Sequence, residues 1–378
     1  LYSESIFSYI VSISVLLQVI LLPIIGSVAD LKNSRHKLLY AFAYVGAIFT
    51  ILLYLLNEQT IFIGCLIFIL ANVFYGASIV MYNSLLIDIA EENERDRVSS
   101  MGWAIGYIGG GILLGINLLT IFFHNELGFQ FEEAVRVSIL SAGVWWLLFS
   151  IISQSNLNLS KPKVNLTTEQ SIKKSSGKLK ATFRNVLKNR NALLFFLAYL
   201  FFNDGVQTVI IISTQFGKRE LNLGMEFIVL VLLGVQFLSF LGTIIIMKLD
   251  EYLKAKKTLI LCLSIWSFIV IYSFFFLKDE IGFVVLAILI SLVLGGTQAL
   301  SRAMFSFFIP ENSQAEYYSF YEITEKGSSW FGPLVFGLVL QFTKSYRLAI
   351  LSLILFFLLG ILLLLKVEIS RVETGVSK

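Results

Sequence analysis

Asp204 stands midway along the apolar run Ala192–Ile212, with Asn203 before it, Gly205 after it and Gln207 almost one helical turn further on. A second charged set, Glu322, Glu325 and Lys326, interrupts the run Tyr318–Phe342. Glu322 and Lys326 are four residues apart, so on a helix they share a face and can form an ion pair. Gln298 and Arg302 close a third run, and Asn83 and Asp88 hold a similar place in the first half of the chain. Single charges and amides in apolar surroundings are costly; in membrane helices they mark proton relays, ion paths and contacts to polar solutes. Asp204 has the chemistry to carry a proton or meet an ammonium group, and Lys326 to meet a carboxylate. Plainer roles compete with these. Lys326 can simply neutralise Glu322, while Arg302, Asp88 and Glu322 can close a gate or snorkel to the headgroups.

Other chemistries lack their residues. The two cysteines, Cys65 and Cys262, lie inside apolar runs, and the two histidines, His36 and His124, lie in loops. That leaves no disulfide framework, no metal cluster and no His-based catalytic set. A phosphate-cradling Gly-x4-Gly-Lys-Ser/Thr loop is missing, so ATP is not expected to power the chain. Neither an enzyme nor a cofactor is expected.

The elements that must hold these groups are long apolar helices. Hydrophobic residues make up 57% of the 378, charged residues only 14%, and mean hydropathy is +0.82, whereas a soluble globule carries about 25% charged residues. A bilayer-spanning helix needs about 20 apolar residues. The qualifying segments are Ile6–Ala29, Leu38–Leu56, Ile61–Ile87, Val98–Phe122, Ala134–Ile152, Ala192–Ile212, Met225–Met247, Thr258–Leu277, Ile281–Phe305, Tyr318–Phe342 and Leu348–Leu365, eleven in all. The first is too long for a cleaved leader and lacks a small-residue cleavage site.

An internal repeat organises these segments. Asp30 and Asp250, Lys37 and Lys257, Gly76 and Gly296, Ile89 and Ile309, Glu91 and Glu311, and Ser99 and Ser319 share a constant offset of 220. A fixed offset carried by loop residues predicts two pseudo-symmetric membrane bundles. The expected division is a first bundle over 1–152, a polar basic linker over 153–190 and a second bundle over 191–378. Shifted back by the same offset, Ala192–Ile212 falls before residue 1, so five helices face six. With Leu rather than Met at position 1, this predicts a twelfth, N-terminal helix missing from the sequence.

Placing the Asp30–Lys37 loop in the cytosol puts most of the 29 basic residues there and leaves Arg136, Lys218, Arg219, Lys278, Lys344 and Arg347 outside. That bias orients the chain with linker and C-terminus cytosolic, and it accounts for the net charge of +4 without a nucleic-acid patch. At the linker's end, Leu179, Phe183, Val186 and Leu187 share a face among basic residues over Lys178–Arg190. This is the pattern of a helix lying on an anionic surface, with a plain solvated linker as the alternative. Gly102, Gly106 and Gly110 share another helix face and are expected to admit a close neighbour.

The loop Gly26-Ser-Val-Ala-Asp30-Leu-Lys-Asn33-Ser-Arg35-His-Lys37 resembles the signature of the major facilitator superfamily, with Asn33 where a turn glycine is usual. Gly26 allows close helix contact, Asp30 can face the positive end of a neighbouring helix, and Arg35 and Lys37 hold the loop at the headgroups. Further on come Asp96-Arg97-Val98-Ser99-Ser100-Met-Gly102, then Phe202-Asn203-Asp204-Gly205-Val206-Gln207-Thr208 and Gln298-Ala299-Leu300-Ser301-Arg302. Tyr321, Lys326 and Gly332-Pro333 follow. In order and spacing this set is similar to the Atg22-like (UMF1) branch of that superfamily, over all but the linker and the extreme tails. The branch's Asp-Trp-Ala-Asn-Ser type sequence in the first helix is absent here. The resemblance implies twelve helices, alternating access and, for the eukaryotic relatives, amino-acid efflux from the vacuole. The expected protein is a monomeric secondary transporter of a small polar solute, driven by a proton or sodium gradient, in a bacterial-type plasma (inner) membrane. Rival readings are a non-transporting scaffold or receptor, and a facilitator for a different solute such as a sugar or drug.

Overall fold

The computed structural model describes residues 2–56, 60–157, 168–310, 312–327 and 330–368. Linker residues 158–167 and the C-terminus lie outside the described residues. The chain forms α1 (Tyr2–Leu31), α2 (Arg35–Leu52), α3 (Ile61–Ser84), α4 (Leu86–Ile89), α5 (Arg95–Phe122), α6 (Phe131–Asn156), α7 (Thr168–Lys188) and α8 (Arg190–Arg219). It continues through α9 (Met225–Leu253), α10 (Ala255–Phe275), α11 (Glu280–Ser306), α12 (Gln314–Gly327), α13 (Phe331–Thr343), α14 (Tyr346–Ser352) and α15 (Ile354–Leu365). No strand occurs among the described residues. Helices satisfy every backbone group within one segment, as lipid demands.

Among the described residues, ten segments are long and apolar enough to cross a membrane: α1 from Tyr9 on, α2 with the short 3-10 turn after it, α3 with α4, α5, α6, α8, α9, α10, α11, and α14 with α15. The all-helical, polytopic expectation holds. The expected span Tyr318–Phe342 is different: its helix begins at Gln314 and stops at Gly327, and another begins at Phe331. Pro333 accounts for the restart. As the third residue of α13 it lacks an N–H that would have no helical acceptor anyway, whereas deeper in a helix it would break the ladder.

The helices group into two compact units. The first contains Leu1–Asp88, Ile108–Thr182 and Pro310–Gly327; the second contains Ile89–Tyr107, Phe183–Ile309 and Ser328–Lys378. Each unit thus includes one short segment from the other half of the sequence, and those two segments are equivalents in the repeat. In the first unit, Gly26 lies against the backbone of Ala315 and Glu316, and Gly46 makes room for the Trp146 ring. In the second, Gly242 of α9 lies against the backbone of Ser291 and Leu292 on α11. There Trp266 stacks on Phe357 with centroids 5.8 Å apart, and its Nε1 donates to Thr297 Oγ1 at 3.0 Å.

Two expectations need correction. The linker helix α7 begins at Thr168, ten residues before the expected start, because Thr168–Gly177 has no apolar stripe to announce it. Within the glycine stripe, Gly106 admits no neighbour: a Cβ there meets open space among the described residues.

Candidate transport site

In the first unit, α12 presents Lys326 in its last turn, where a cation complements the negative helix end. Its Nζ lies 3.2 Å from Glu322 Oε1 one turn back and donates to Gln18 Oε1 of α1 at 2.6 Å. The same Nζ sits 5.3 Å from the Tyr75 ring centroid on α3, within cation–π range. Glu322 is 3% exposed and the Lys326 side chain 22%. A buried ion pair recovers its desolvation cost only when further hydrogen bonds complete it, and Gln18 supplies one. Gly76 keeps this space open, since a Cβ there would overlap Gln18 Oε1 and lie 3.2 Å from Lys326 Nζ. Nearby on the same two helices, Asn72 Nδ2 donates to Ser14 Oγ at 3.2 Å. The buried Gln18 Nε2 has no hydrogen-bond partner among the described residues.

The first helix also ends in a lock. Asp30, its side chain fully buried, accepts from Ala315 N at 3.1 Å and Glu316 N at 2.9 Å, the second and third residues of α12. Those N–H groups have no helical acceptor. Arg35 Nε lies 3.8 Å from Asp30, and Arg35 Nη2 donates to Asp88 at 3.0 Å. Asn33 takes a positive φ of 48° in the turn between α1 and α2, as the replacement for a turn glycine requires. Lys37 is exposed and Asn83 is buried at the end of α3.

In the second unit, Asp204 of α8 faces the start of α13. Its Oδ2 accepts from Gly332 N at 2.6 Å, while the buried Oδ1 and the neighbouring Asn203 Nδ2 have no partner among the described residues. Thr208 donates to the Asp204 carbonyl at 2.7 Å. A Cβ at Gly332 would overlap Thr208 Oγ1 and lie 3.2 Å from Asp204 Oδ2, so glycine lets the carboxylate reach the amide. Gln207 is half-buried. Arg302 of α11 donates through Nε and Nη2 to the hydroxyl and carbonyl of Ser99 on α5, at 3.0 and 3.1 Å. One turn deeper, Gln298 Oε1 accepts from Tyr107 at 2.6 Å. These two residues hold α5 to α11.

Each unit therefore has an aspartate at the N-terminal end of a helix, Asp30 at α12 in the first and Asp204 at α13 in the second. Helix N-terminal ends carry freed backbone N–H groups that can meet a negative charge. Gln18 and Tyr75 were not singled out from sequence. Gln18 had a signal, an amide within an apolar run; Tyr75 looks like any core aromatic.

Ten apolar helical segments of membrane-spanning length among the described residues define a polytopic membrane protein, and the fold agrees. It superposes on the E. coli fucose:proton symporter FucP with a TM-score of 0.74, covering 97% of this chain and 92% of that one at 12% identity. The proton:xylose symporter XylE gives 0.73 over 97% and 86%, also at 12% identity. The chain has the major facilitator superfamily fold, and its family and relatives make it an integral membrane transporter of that type. The family described as vacuole effluxer Atg22 like matches residues 2–375, and this chain belongs to it. The Bacillus subtilis (strain 168) MFS-type transporter YxiO is 28% identical over 100% of this chain and 87% of its own length. Autophagy-related protein 22 of Vanderwaltozyma polyspora is 27% identical over 97% and 78%.

Proposed function

We propose that this chain is a secondary active transporter exporting an amino acid or a closely related zwitterion, by alternating access of bundles 1–152 and 191–378 across the linker 153–190. The observation that carries the reading is Lys326, a cation at membrane depth whose counter-ion can be exchanged. A solute carboxylate can replace Glu322 on Nζ without leaving the cation unpaired. Asp204, Asn203 and Gln207 are the groups for the solute ammonium or for a coupling proton or sodium ion. Arg302, Gln298 and Asn83 position the helices around them, and Gly26, Asp30, Arg35 and Lys37 act in the conformational lock. A monomer in a plasma (inner) membrane with a cytosolic C-terminus completes the reading, and the family's description as vacuole effluxer Atg22 like supports the direction.

Purified protein in proteoliposomes tests this with a panel of amino acids and their methyl esters. Transport of an amino acid but not of its ester is expected, with loss in Lys326→Gln and no recovery in Lys326→Gln/Glu322→Gln. Recovery in the double variant makes the pair structural and removes Lys326 as a solute contact. Transport of a neutral sugar instead of any amino acid overturns the substrate class.

A further inference from the structure

We propose that Lys178, on the linker helix α7, is a positioning residue of the transport cycle that holds the first turn of α12 in place through Glu316. Glu316 is fully buried, and neither of its carboxylate oxygens accepts a hydrogen bond among the described residues. Lys178 Nζ lies 3.3 Å from Glu316 Oε2 and donates to the Asn312 carbonyl at 3.1 Å, just ahead of the helix. The contact sits beside the lock, because the backbone amide of the same Glu316 donates to Asp30. Two carboxylates thus crowd one helix end. Arg35 stands 3.8 Å from Asp30, and Lys178 is the cation at ion-pair distance from Glu316 among the described residues.

Burial along the linker helix agrees with this contact. Ser175 and Thr182 are buried on the same side, whereas Lys174, Lys180, Arg184 and Lys188 point to the exposed side. Without Lys178, Glu316 is a buried carboxylate with no cation, a state far costlier than the pair is favourable. The first turn of α12 then moves toward water and leaves Asp30. The linker helix thereby becomes a strap on the lock, and displacing it loosens α12.

The test uses the full chain in lipid nanodiscs, with Cys65→Ala and Cys262→Ala, and with Ser319→Cys as reporter. Ser319 is fully buried and donates to the Glu316 carbonyl at 2.5 Å, so its thiol reports movement of this turn. Lys178→Ala is expected to raise the maleimide labelling rate about tenfold, and Lys178→Arg to leave it at the parent rate. In a Glu316→Gln background, where no buried charge needs a partner, Lys178→Ala should change labelling less than about twofold. An unchanged rate in Lys178→Ala, or an equal rise in both backgrounds, overturns the proposal. If Lys178→Ala yields no folded protein, rescue by Glu316→Gln supports the pair and failure of rescue overturns it. Labelling needs no solute, so it stands apart from the substrate assignment.

Discussion

One methyl group at Gly26 tests how the lock is built. The Cβ of Gly26→Ala would lie 2.5 Å from the Ala315 carbonyl oxygen, 2.8 Å from its carbon and 3.1 Å from Glu316 Cα. All three are backbone atoms, so no side chain can swing aside. An ordinary carbon–oxygen approach is about 3.3 Å or more, so the first turn of α12 must retreat by about 0.8 Å. Asp30, one turn along α1 from Gly26, holds Ala315 N and Glu316 N at 3.1 and 2.9 Å. Stretched by that amount, both contacts leave the hydrogen-bond range. Overpacking costs about 1–3 kcal/mol, and each hydrogen bond to a charged group contributes about 1.5–3 kcal/mol. Losing the bonds relieves the crowding, so the terms do not add, and a net cost of about 2–4 kcal/mol follows. That corresponds to a roughly 30- to 700-fold rise in the population with α12 displaced. Maleimide labelling at Ser319→Cys in nanodiscs measures it, and Asp30→Asn, which keeps the volume, should give a smaller rise. Labelling of Gly26→Ala within about threefold of the parent would refute the reasoning.

Gly332→Ala should push the Asp204 carboxylate off the α13 amide and act like Asp204→Asn, lowering gradient-driven uptake while sparing solute exchange; equal loss of both in proteoliposomes removes Asp204 from coupling. Arg347 contacts Glu220 at 3.3 Å and donates to the Phe274 and Leu277 carbonyls at 3.0 and 2.6 Å. Arg347→Ala is expected to cost about 1–2 kcal/mol and to lower the apparent Tm by several degrees, with Glu220→Gln lowering it less. Single cysteines at Lys174 and Glu126, both exposed, should label from opposite faces of intact cells; labelling of both by an impermeant reagent from outside contradicts the orientation.

Much of the fold was legible because lipid permits few choices: apolar runs of the right length become helices, and most run boundaries recur within about four residues, whereas α8 and α9 run on past Ile212 and Met247 to Arg219 and Leu253. The break between α12 and α13 was missed because hydropathy averages over it. Pro333, a helix-starting residue, carried the signal. Among the site residues, the Glu322–Lys326 spacing already implied the ion pair, and Gly26 with Asp30 implied a helix end nearby. The identity of the partners was not legible. Gln18 lies 308 residues from Lys326 in the chain, and Gly332 lies 128 from Asp204. Nothing local announces either meeting.

The membership of Pro310–Gly327 in the first unit has a consequence for biosynthesis. Residues up to Thr182 are made and inserted well before that segment exists, with about 130 residues still to come. At roughly 5–20 residues per second, the delay is roughly 6–26 s. Throughout it, Asp30 has no α12 amides to meet, Gln18 has no Lys326 and Lys178 has no Glu316. The nascent N-terminal segments therefore wait with these three contacts unmade, and a chain cut short before residue 310 never supplies them. Such fragments lack the contacts that hold α1 and α7 to α12, and they should be cleared faster than fragments that end after Gly327.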